Sequence, residues 1–156
     1  MSKFTFLLPF AALFMSACIG VAPKTDGNSA HSADSLIAYR IADRYFLRND
    51  VKFPDDPIVT TQAQFDSLFG CAPVMGENGL PTKIDFQREF VIGISLPETN
   101  DETNIVPGEM TMNDDILKLN YAVNVGEQNR SFSIKPLMLL IVERKYLPEE
   151  CVLKQN

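Results

Sequence analysis

Cysteine and histidine are the residue types best suited to act as nucleophile, base or metal ligand, and this chain holds three cysteines and one histidine. The histidine, His31, lies in a stretch of small and polar residues that favours a flexible tether. A base on such a tether cannot be held within hydrogen-bond reach of a target. Cys71 therefore lacks a histidine to activate it, and the cysteines are too few for a structural zinc site. We expect no catalytic residue, no metal site and no cofactor, and so no enzyme.

Cys18 has a different chemistry, because it follows the features of a secretory signal. Lys3 precedes an apolar run of 12 residues, 4–15, which is too short for a membrane-spanning helix of about 20 residues. The run ends in Met15-Ser16-Ala17-Cys18, the pattern of a lipobox with Cys18 as the acylated residue. We therefore predict a lipoprotein signal peptide over residues 1–17 and a flexible tether over residues 18–34.

An acylated Cys18 would anchor the chain to a lipid bilayer of the bacterial cell envelope, at an outer-membrane, periplasmic or surface face. The alternative is an ordinary secretory signal that is cut near Ala17 and leaves an unmodified thiol. In either case Cys71 and Cys151 remain. In an oxidising compartment these two could form one disulfide, or they could stay separate thiols.

The charge of the chain excludes one class of partner. It carries 20 acidic and 14 basic residues, for a formal net charge of −6. Without a cluster of Lys and Arg, nucleic acid is not an expected partner. No glycine-rich phosphate-binding motif is present. Carboxylates in the predicted loops could offer oxygens to calcium, but they lack EF-hand spacing and are typical of a solvated surface: Glu98, Asp101, Glu102, Asp114 and Asp115.

Residues 71–82 are the strongest candidate for a binding surface. This predicted loop is long and mixes apolar residues with glycine and proline, and function often concentrates on such loops. It could grip a protein partner or enter a protease cleft through five residues: Val74, Met75, Gly76, Leu80 and Pro81. The other interpretation, which we favour as the more common one, is a loop that covers one end of the sheet with its apolar side chains inward.

The elements that must position these residues start with two predicted helices. Apolar residues at helical spacing indicate a first helix over residues 35–48. Thr61 as N-cap, Gln64 at the capping-box position and Gly70 as a C-terminal stop indicate a second helix.

Strands are predicted for the rest of the chain. Alternating or continuous apolar residues indicate four of them, over residues 89–96, 105–112, 116–125 and 131–145. Asn113-Asp114-Asp115 indicates a turn. The fold class that follows is α+β, a single domain over residues 35–156 with two N-terminal helices and an antiparallel β-meander of about four strands.

Three segments of the strand-rich half and its preceding helix carry a family resemblance: Ile84-Asp85-Phe86 with residues 89–94, the run 136–142 followed by Lys145, and the helix at 64–69. They resemble the C-terminal domain of the PrcB-like family of protease complex subunits. The resemblance spans residues 60–145 and departs from the family at 97–104, where the family's glycine-rich turn is replaced by a segment without glycine. It implies a non-catalytic extracytoplasmic accessory protein linked to protease stability.

These observations favour a membrane-anchored, non-enzymatic lipoprotein that binds another envelope protein and regulates or stabilises a protease. One alternative is a protease inhibitor that acts through an exposed loop. A further alternative is a small-ligand or glycan binder, which would need a concave pocket with aromatic walls.

Overall fold

Strands dominate the fold. The computed structural model describes residues 34–76 and 79–156. Within them lie ten strands, one α-helix, α1 (Gln62–Leu68), and a short 3-10 helix (Arg144–Tyr146). The strands are β1 (Ser35–Leu36), β2 (Tyr39–Ile41), β3 (Tyr45–Leu47), β4 (Ile58–Val59), β5 (Phe69–Cys71), β6 (Glu89–Ser95), β7 (Thr103–Asn113), β8 (Ile116–Val125), β9 (Leu137–Glu143) and β10 (Glu150–Gln155). None of the helices in these ranges has the length and apolar character needed to cross a bilayer.

The strands form three sheets. Sheet A has the order β1-β7-β8-β10, sheet B the order β2-β9-β6-β4, and sheet C consists of β3 and β5. The pairs are antiparallel except for β8 and β10, which run parallel. The predicted α+β class with two helices is therefore wrong, and the described part of the chain is mostly β.

Sheet B is buried on both faces, because its two central strands contribute to two cores. Phe90 and Ile92 of β6 pack with side chains of sheet A in one core, which we call the A/B core. Val91, between them on the strand, points to the opposite face and packs with Phe65 and Leu68 of α1 in a second core, the B/helix core. Since successive residues of a strand face opposite sides, a strand covered on both faces reads as a continuous apolar run.

The predicted first helix is absent, and residues 35–48 instead form three short strands. β1 pairs with β7, β2 with β9 and β3 with β5, so the segment passes through all three sheets. Ile37 is buried in the A/B core, whereas Ala42 and Leu47 are buried in the B/helix core. The spacing that resembles a helix arises because the chain changes sheets, and its apolar residues serve two cores in turn.

The predicted second helix is confirmed. The hydroxyl of Thr61 accepts a hydrogen bond from the backbone N–H of Gln64, as an N-cap does. The predicted role of Gly70 is wrong, since the helix is capped by Phe69 and Gly70 lies within β5. Gly70 is needed there because the ring of Phe46 covers it, and a β-carbon would approach the Cζ atom of Phe46 to 2.4 Å.

The four predicted strands exist, but they do not form a meander. β7 and β8 make a hairpin, and Asp114 and Asp115 both have positive φ, as a tight hairpin turn requires. β6 pairs with β9 rather than with its neighbour β7, and β10 was not predicted. The correct pairings are long-range, and the apolar pattern of one strand carries no information about which other strand it meets.

The described chain begins at the turn of the β7–β8 hairpin. Ser35 lies opposite Met112, and the Asn113 side-chain amide donates a hydrogen bond to the Asp34 carboxylate at 2.7 Å. The backbone N–H of Glu149 donates to the Asp115 carbonyl at 2.9 Å, so β10 also starts at this end. The predicted signal peptide, residues 18–33 of the predicted tether, Cys18 and His31 lie outside the described residues, whereas Asp34, the last residue of the predicted tether, is described.

Candidate functional site

The loop predicted as a binding surface leaves the fold at β5, and its two ends are tied to the turn between β2 and β3. On one side the Ala72 N–H donates to the Arg44 carbonyl at 2.8 Å. On the other side the Asp43 N–H donates to the Thr82 hydroxyl at 2.9 Å, and the Tyr45 hydroxyl donates to the Thr82 carbonyl at 2.7 Å. The base of the loop is therefore fixed by hydrogen bonds to one short segment, residues 43–45.

The tip of the loop closes on itself. The Val74 N–H donates to the Gly79 carbonyl at 2.9 Å, and Gly76 has a φ of 115°, a value that favours glycine. A β-carbon on Gly79 would lie 1.8 Å from the Val74 carbonyl oxygen, so glycine is the residue that fits there as well. These contacts hold the apolar residues on either side of the tip in one arrangement.

Three apolar side chains of the loop face solvent. Met75 is 101 % exposed, Leu80 76 % and Val74 50 %. The interpretation of a loop that covers the sheet with these side chains inward is therefore wrong. Pro81 is half-buried beside them, and Gly76 is exposed. The structure brings the five predicted residues together on one projecting loop.

A cavity of about 550 Å³ lies at the side of this loop. Its walls are Asp43 and Arg44 from the β2–β3 turn and Gly76, Gly79, Leu80 and Thr82 from the loop. Arg44 is exposed, and no hydrogen bond or ion pair of its guanidinium occurs within the described ranges. The loop thus combines exposed apolar anchors with a guanidinium that has no partner among the described residues, and apolar anchors and arginine are both common in protein interfaces.

Sequence reasoning missed Arg44, because it placed this residue on a helix. The signal that could have identified the turn is weak, since only the neighbouring Asp43 favours one. The backbone of Arg44 has a φ of 70°, in the left-handed region that arginine seldom adopts.

A second concave surface lies between β3 and the segments that flank β9. Two cavities of about 450 and 470 Å³ share Leu47, Glu98 and Lys135 in their walls. The Lys135 ammonium donates to the Asn49 carbonyl at 3.0 Å, and the Ser133 hydroxyl donates to the Glu98 carboxylate. The Lys135 ammonium and the Glu98 carboxylate of this groove already have hydrogen-bond partners within the protein. The groove is therefore a weaker candidate for binding than the loop.

The two described cysteines are free thiols in different sheets. Cys71 ends β5 in sheet C and is exposed, whereas Cys151 lies in β10 of sheet A and is half-buried. The disulfide that the sequence allowed is not formed. Burial, with a smaller contribution from the nearby Asp56 carboxylate, raises the pKa of Cys151 to about 12. The Cys151 thiol is therefore protonated at neutral pH and is a poor nucleophile.

Three of the five carboxylates considered for calcium, those of Glu98, Asp101 and Glu102, have partners within the protein. Glu102 pairs with the Arg130 guanidinium at 2.5 Å, and Asp101 accepts a hydrogen bond from the Asn129 N–H at 2.9 Å. Asp114 and Asp115 lie away from them, in the β7–β8 turn. No group of three or more acidic, Cys or His side chains in residues 34–76 and 79–156 is arranged to hold a metal ion.

The chain matches no protein-family model, no curated protein sequence and no solved structure. The resemblance to the PrcB-like family therefore stays a hypothesis from the sequence. The argument about function starts from the geometry of the 71–82 loop.

Proposed function

We propose that this chain is a lipid-anchored lipoprotein of the cell envelope that binds another envelope protein through the 71–82 loop, without catalysing a reaction. One observation carries the proposal: a loop fixed at both ends holds Met75, Leu80 and Val74 out in solvent. Exposed apolar side chains lose the free energy that burial would give them, about 25 cal/mol per Å². A partner that covers them would recover it.

The fixed base makes the loop a better binding element than a flexible one. Binding a protein partner costs entropy when side chains and loops become ordered. The hydrogen bonds from Ala72, Asp43 and Tyr45 have already ordered the base of this loop. The Arg44 guanidinium at its side is suited to a carboxylate or a backbone carbonyl of the partner.

The position of the chain entry supports an anchor that leaves the loop accessible. β2 runs from its pairing with Val142 to its pairing with Leu140 and then leads to Asp43. It therefore runs toward the end where Leu96 and Pro136 meet Val125, opposite to the β7–β8 turn where the described chain begins. A tether that joins the domain at that turn leaves the loop uncovered by its own attachment point.

The charge at the chain entry bears on how the membrane is reached. Five carboxylates surround it: Asp34, Asp114, Asp115, Glu149 and Glu150. Anionic headgroups repel such a cluster. The lipid on Cys18 would therefore supply the membrane attachment, and the acidic end would stay separated from the bilayer by the tether.

The anchor is tested first, by labelling cells that make the chain with radioactive palmitate. We expect label in the parent chain and none in Cys18→Ala. Label that survives this substitution would exclude Cys18 as the acylated residue, and absence of label from the parent would exclude the anchor.

The partner is tested with a photo-crosslinking amino acid at position 75 of the full chain in its own envelope. We expect one dominant crosslinked protein, which disappears when Leu80→Ser is added. The matched control carries the crosslinker at position 36, since Leu36 is also an exposed apolar residue, at 71 %, but lies in β1, which pairs with β7 near the β7–β8 turn. The proposal is wrong if position 75 captures nothing, or the same proteins as position 36.

The protein captured by crosslinking from position 75 also distinguishes between a protease inhibitor and a subunit that stabilises a protease. If the captured protein is a protease, its activity is measured with the parent chain and with Met75→Asp. Inhibition by the parent that Met75→Asp abolishes would indicate an inhibitor. Activity that is unchanged while the lifetime of the protease is extended would indicate a stabilising subunit.

A further inference from the structure

The two edges of sheet A differ in how they are protected. β1 covers only Thr111 and Met112 of β7, so most of that long strand has an open side. Pro107 has no N–H there, the register shifts between Pro107 and Met110, and the Tyr39 hydroxyl donates to the Gly108 carbonyl at 2.8 Å. Proline and a bulge are two of the devices by which proteins prevent pairing at an edge, and here the Tyr39 hydroxyl also occupies one of the edge carbonyls.

The β10 edge has none of these devices. Its six residues, Glu150–Gln155, contain no proline or glycine and pair with β8 without a register shift. The Asn156 N–H donates to the Tyr121 carbonyl at 2.9 Å, which fixes the direction of the backbone groups along the strand. The N–H and C=O of Val152 and Lys154 therefore point to β8, and those of Cys151 and Leu153 point outward, where sheet A ends.

The side chains of β10 alternate between the core and solvent. Cys151 and Leu153 pack against the A/B core. Glu150 and Lys154 are exposed on the opposite face, and Val152 between them is 39 % exposed. The outer face of this strand thus has an acid, an apolar residue and a base in order.

We propose that β10 pairs antiparallel with β10 of a second copy of this chain, so that two sheets A become one continuous sheet of eight strands. Only residues whose backbone groups point outward can form hydrogen-bonded pairs, so Cys151 and Leu153 must meet odd-numbered residues of the second copy. This condition leaves registers centred on Cys151, Val152, Leu153 or Lys154, and the last of these sets Lys154 opposite Lys154 of the second copy, a pair of like charges.

Charge complementarity selects among these registers. Centred on Val152, the pairing sets Glu150 opposite Lys154 of the second copy, and by symmetry Lys154 opposite Glu150 of the second copy. Val152 then lies opposite Val152 of the second copy. Cys151 exchanges two backbone hydrogen bonds with Leu153 of the second copy, and the two-fold symmetry produces a second such pair. A register centred on Leu153 sets Val152 opposite Lys154 of the second copy, and one centred on Cys151 sets it opposite Glu150 of the second copy. Opposite charges directly across a strand pair stabilise it, and like charges destabilise it.

The test is a charge-swap cycle on the whole chain, purified from its host membranes in mild detergent. Sedimentation velocity over a range of protein-to-detergent ratios gives the dimer dissociation constant. Glu150→Lys and Lys154→Glu each replace two attractive pairs by two repulsive ones, and we expect each to weaken the dimer about tenfold. The double variant restores both pairs with their charges exchanged, and we expect its constant to return to that of the parent.

The control is Glu149→Lys, which changes the charge next to β10 by the same amount but outside the paired strand. It should leave the constant nearly unchanged, and all variants should keep the far-UV circular dichroism of the parent. A parent chain that is monomeric at every ratio would overturn the proposal. So would single swaps without effect, or a double variant as weak as the singles.

A second measurement reads the register itself. Opposed residues whose backbone groups point away from each other have the closest side chains of an antiparallel pair, with Cα atoms about 4.5 Å apart. We expect Val152→Cys to form an intermolecular disulfide joining position 152 of the two copies, under mild oxidation and well above the background of the parent thiols. Val106→Cys on the protected edge, at a residue of similar exposure, should not. Equal crosslinking at both positions would contradict the register.

Discussion

Arg44 combines a strained backbone with an exposed side chain. Its φ of 70° lies in the left-handed region, which costs an L-residue with a β-carbon about 1–2 kcal/mol. Its guanidinium forms no hydrogen bond or ion pair in the described part of the chain, yet it lines the cavity beside the loop. Glycine would satisfy the backbone at lower cost, so an arginine at this position is consistent with the proposed contact to a partner.

Arg44→Gly separates these two properties. We expect the free energy of unfolding in urea to rise by up to about 1 kcal/mol, because the backbone strain is removed. We expect crosslinking to the partner from position 75 to fall. Asn129→Gly is the matched control, since Asn129 has a φ of 56° but lies away from the loop and is a residue type that tolerates this region. A less stable Arg44→Gly with undiminished capture would show that the side chain supports the fold rather than binding.

At the scale of elements, the sequence predicted what is local. The α1 cap, the limits of β8 and the β7–β8 turn each depend on a few neighbouring residues, and the structure has them where they were expected. The three short strands in residues 35–48 were not recoverable, because each is stabilised by a strand far away in sequence. The pairing of β6 with β9 is of the same kind.

The same distinction between local and long-range contacts applies to the candidate site. The apolar loop was predictable from its glycines and prolines, whereas the direction of its side chains was not. Whether Met75 points inward depends on how the β2–β3 turn holds the base of the loop, and that turn lies about thirty residues earlier in the sequence. Arg44 comes from that turn, which is why it was missed.

Gly93 provides a test of the packing between β6 and the B/helix core. The ring of Phe53 lies over this glycine, and a β-carbon would approach Cζ of Phe53 to 2.6 Å and Cδ2 of Leu139 to 3.3 Å. We expect Gly93→Ala to lower the free energy of unfolding by about 1–3 kcal/mol, because the ring must move in a filled core. Urea denaturation followed by circular dichroism measures it.

The companion variant is Phe53→Leu, which makes room at the same place. Combined with Gly93→Ala, it should cost less than the sum of the two single changes, since the clash no longer exists. Strict additivity would mean that the ring of Phe53 is not what limits position 93.

At the scale of the whole molecule, sheet B joins two cores that share its strands. β9 places Leu140 in the A/B core and the adjacent Leu139 in the B/helix core. Neither core can lose its packing without disturbing the backbone on which the other is built. The described domain should therefore unfold as one cooperative unit, although its sheets form three layers.

Leu139→Ala and Leu140→Ala test this cooperativity with neighbouring residues on opposite faces of one strand. Both side chains are almost fully buried, at 2 % and 0 % exposure, so each variant should lose about 2–5 kcal/mol of unfolding free energy. In hydrogen exchange followed by mass spectrometry, we expect Leu139→Ala to reduce protection in β7 and β8 as strongly as in α1, although β7 and β8 contribute nothing to the B/helix core. Val125→Ala, at an exposed residue, should change neither the free energy of unfolding nor the exchange protection.

If Leu139→Ala affects only α1 and its neighbours, the two cores unfold separately. The loop would then be held by the less stable B/helix core, because its base is tied to Tyr45, which packs against that core. If protection falls everywhere, the stability of the whole domain holds the loop in its exposed form.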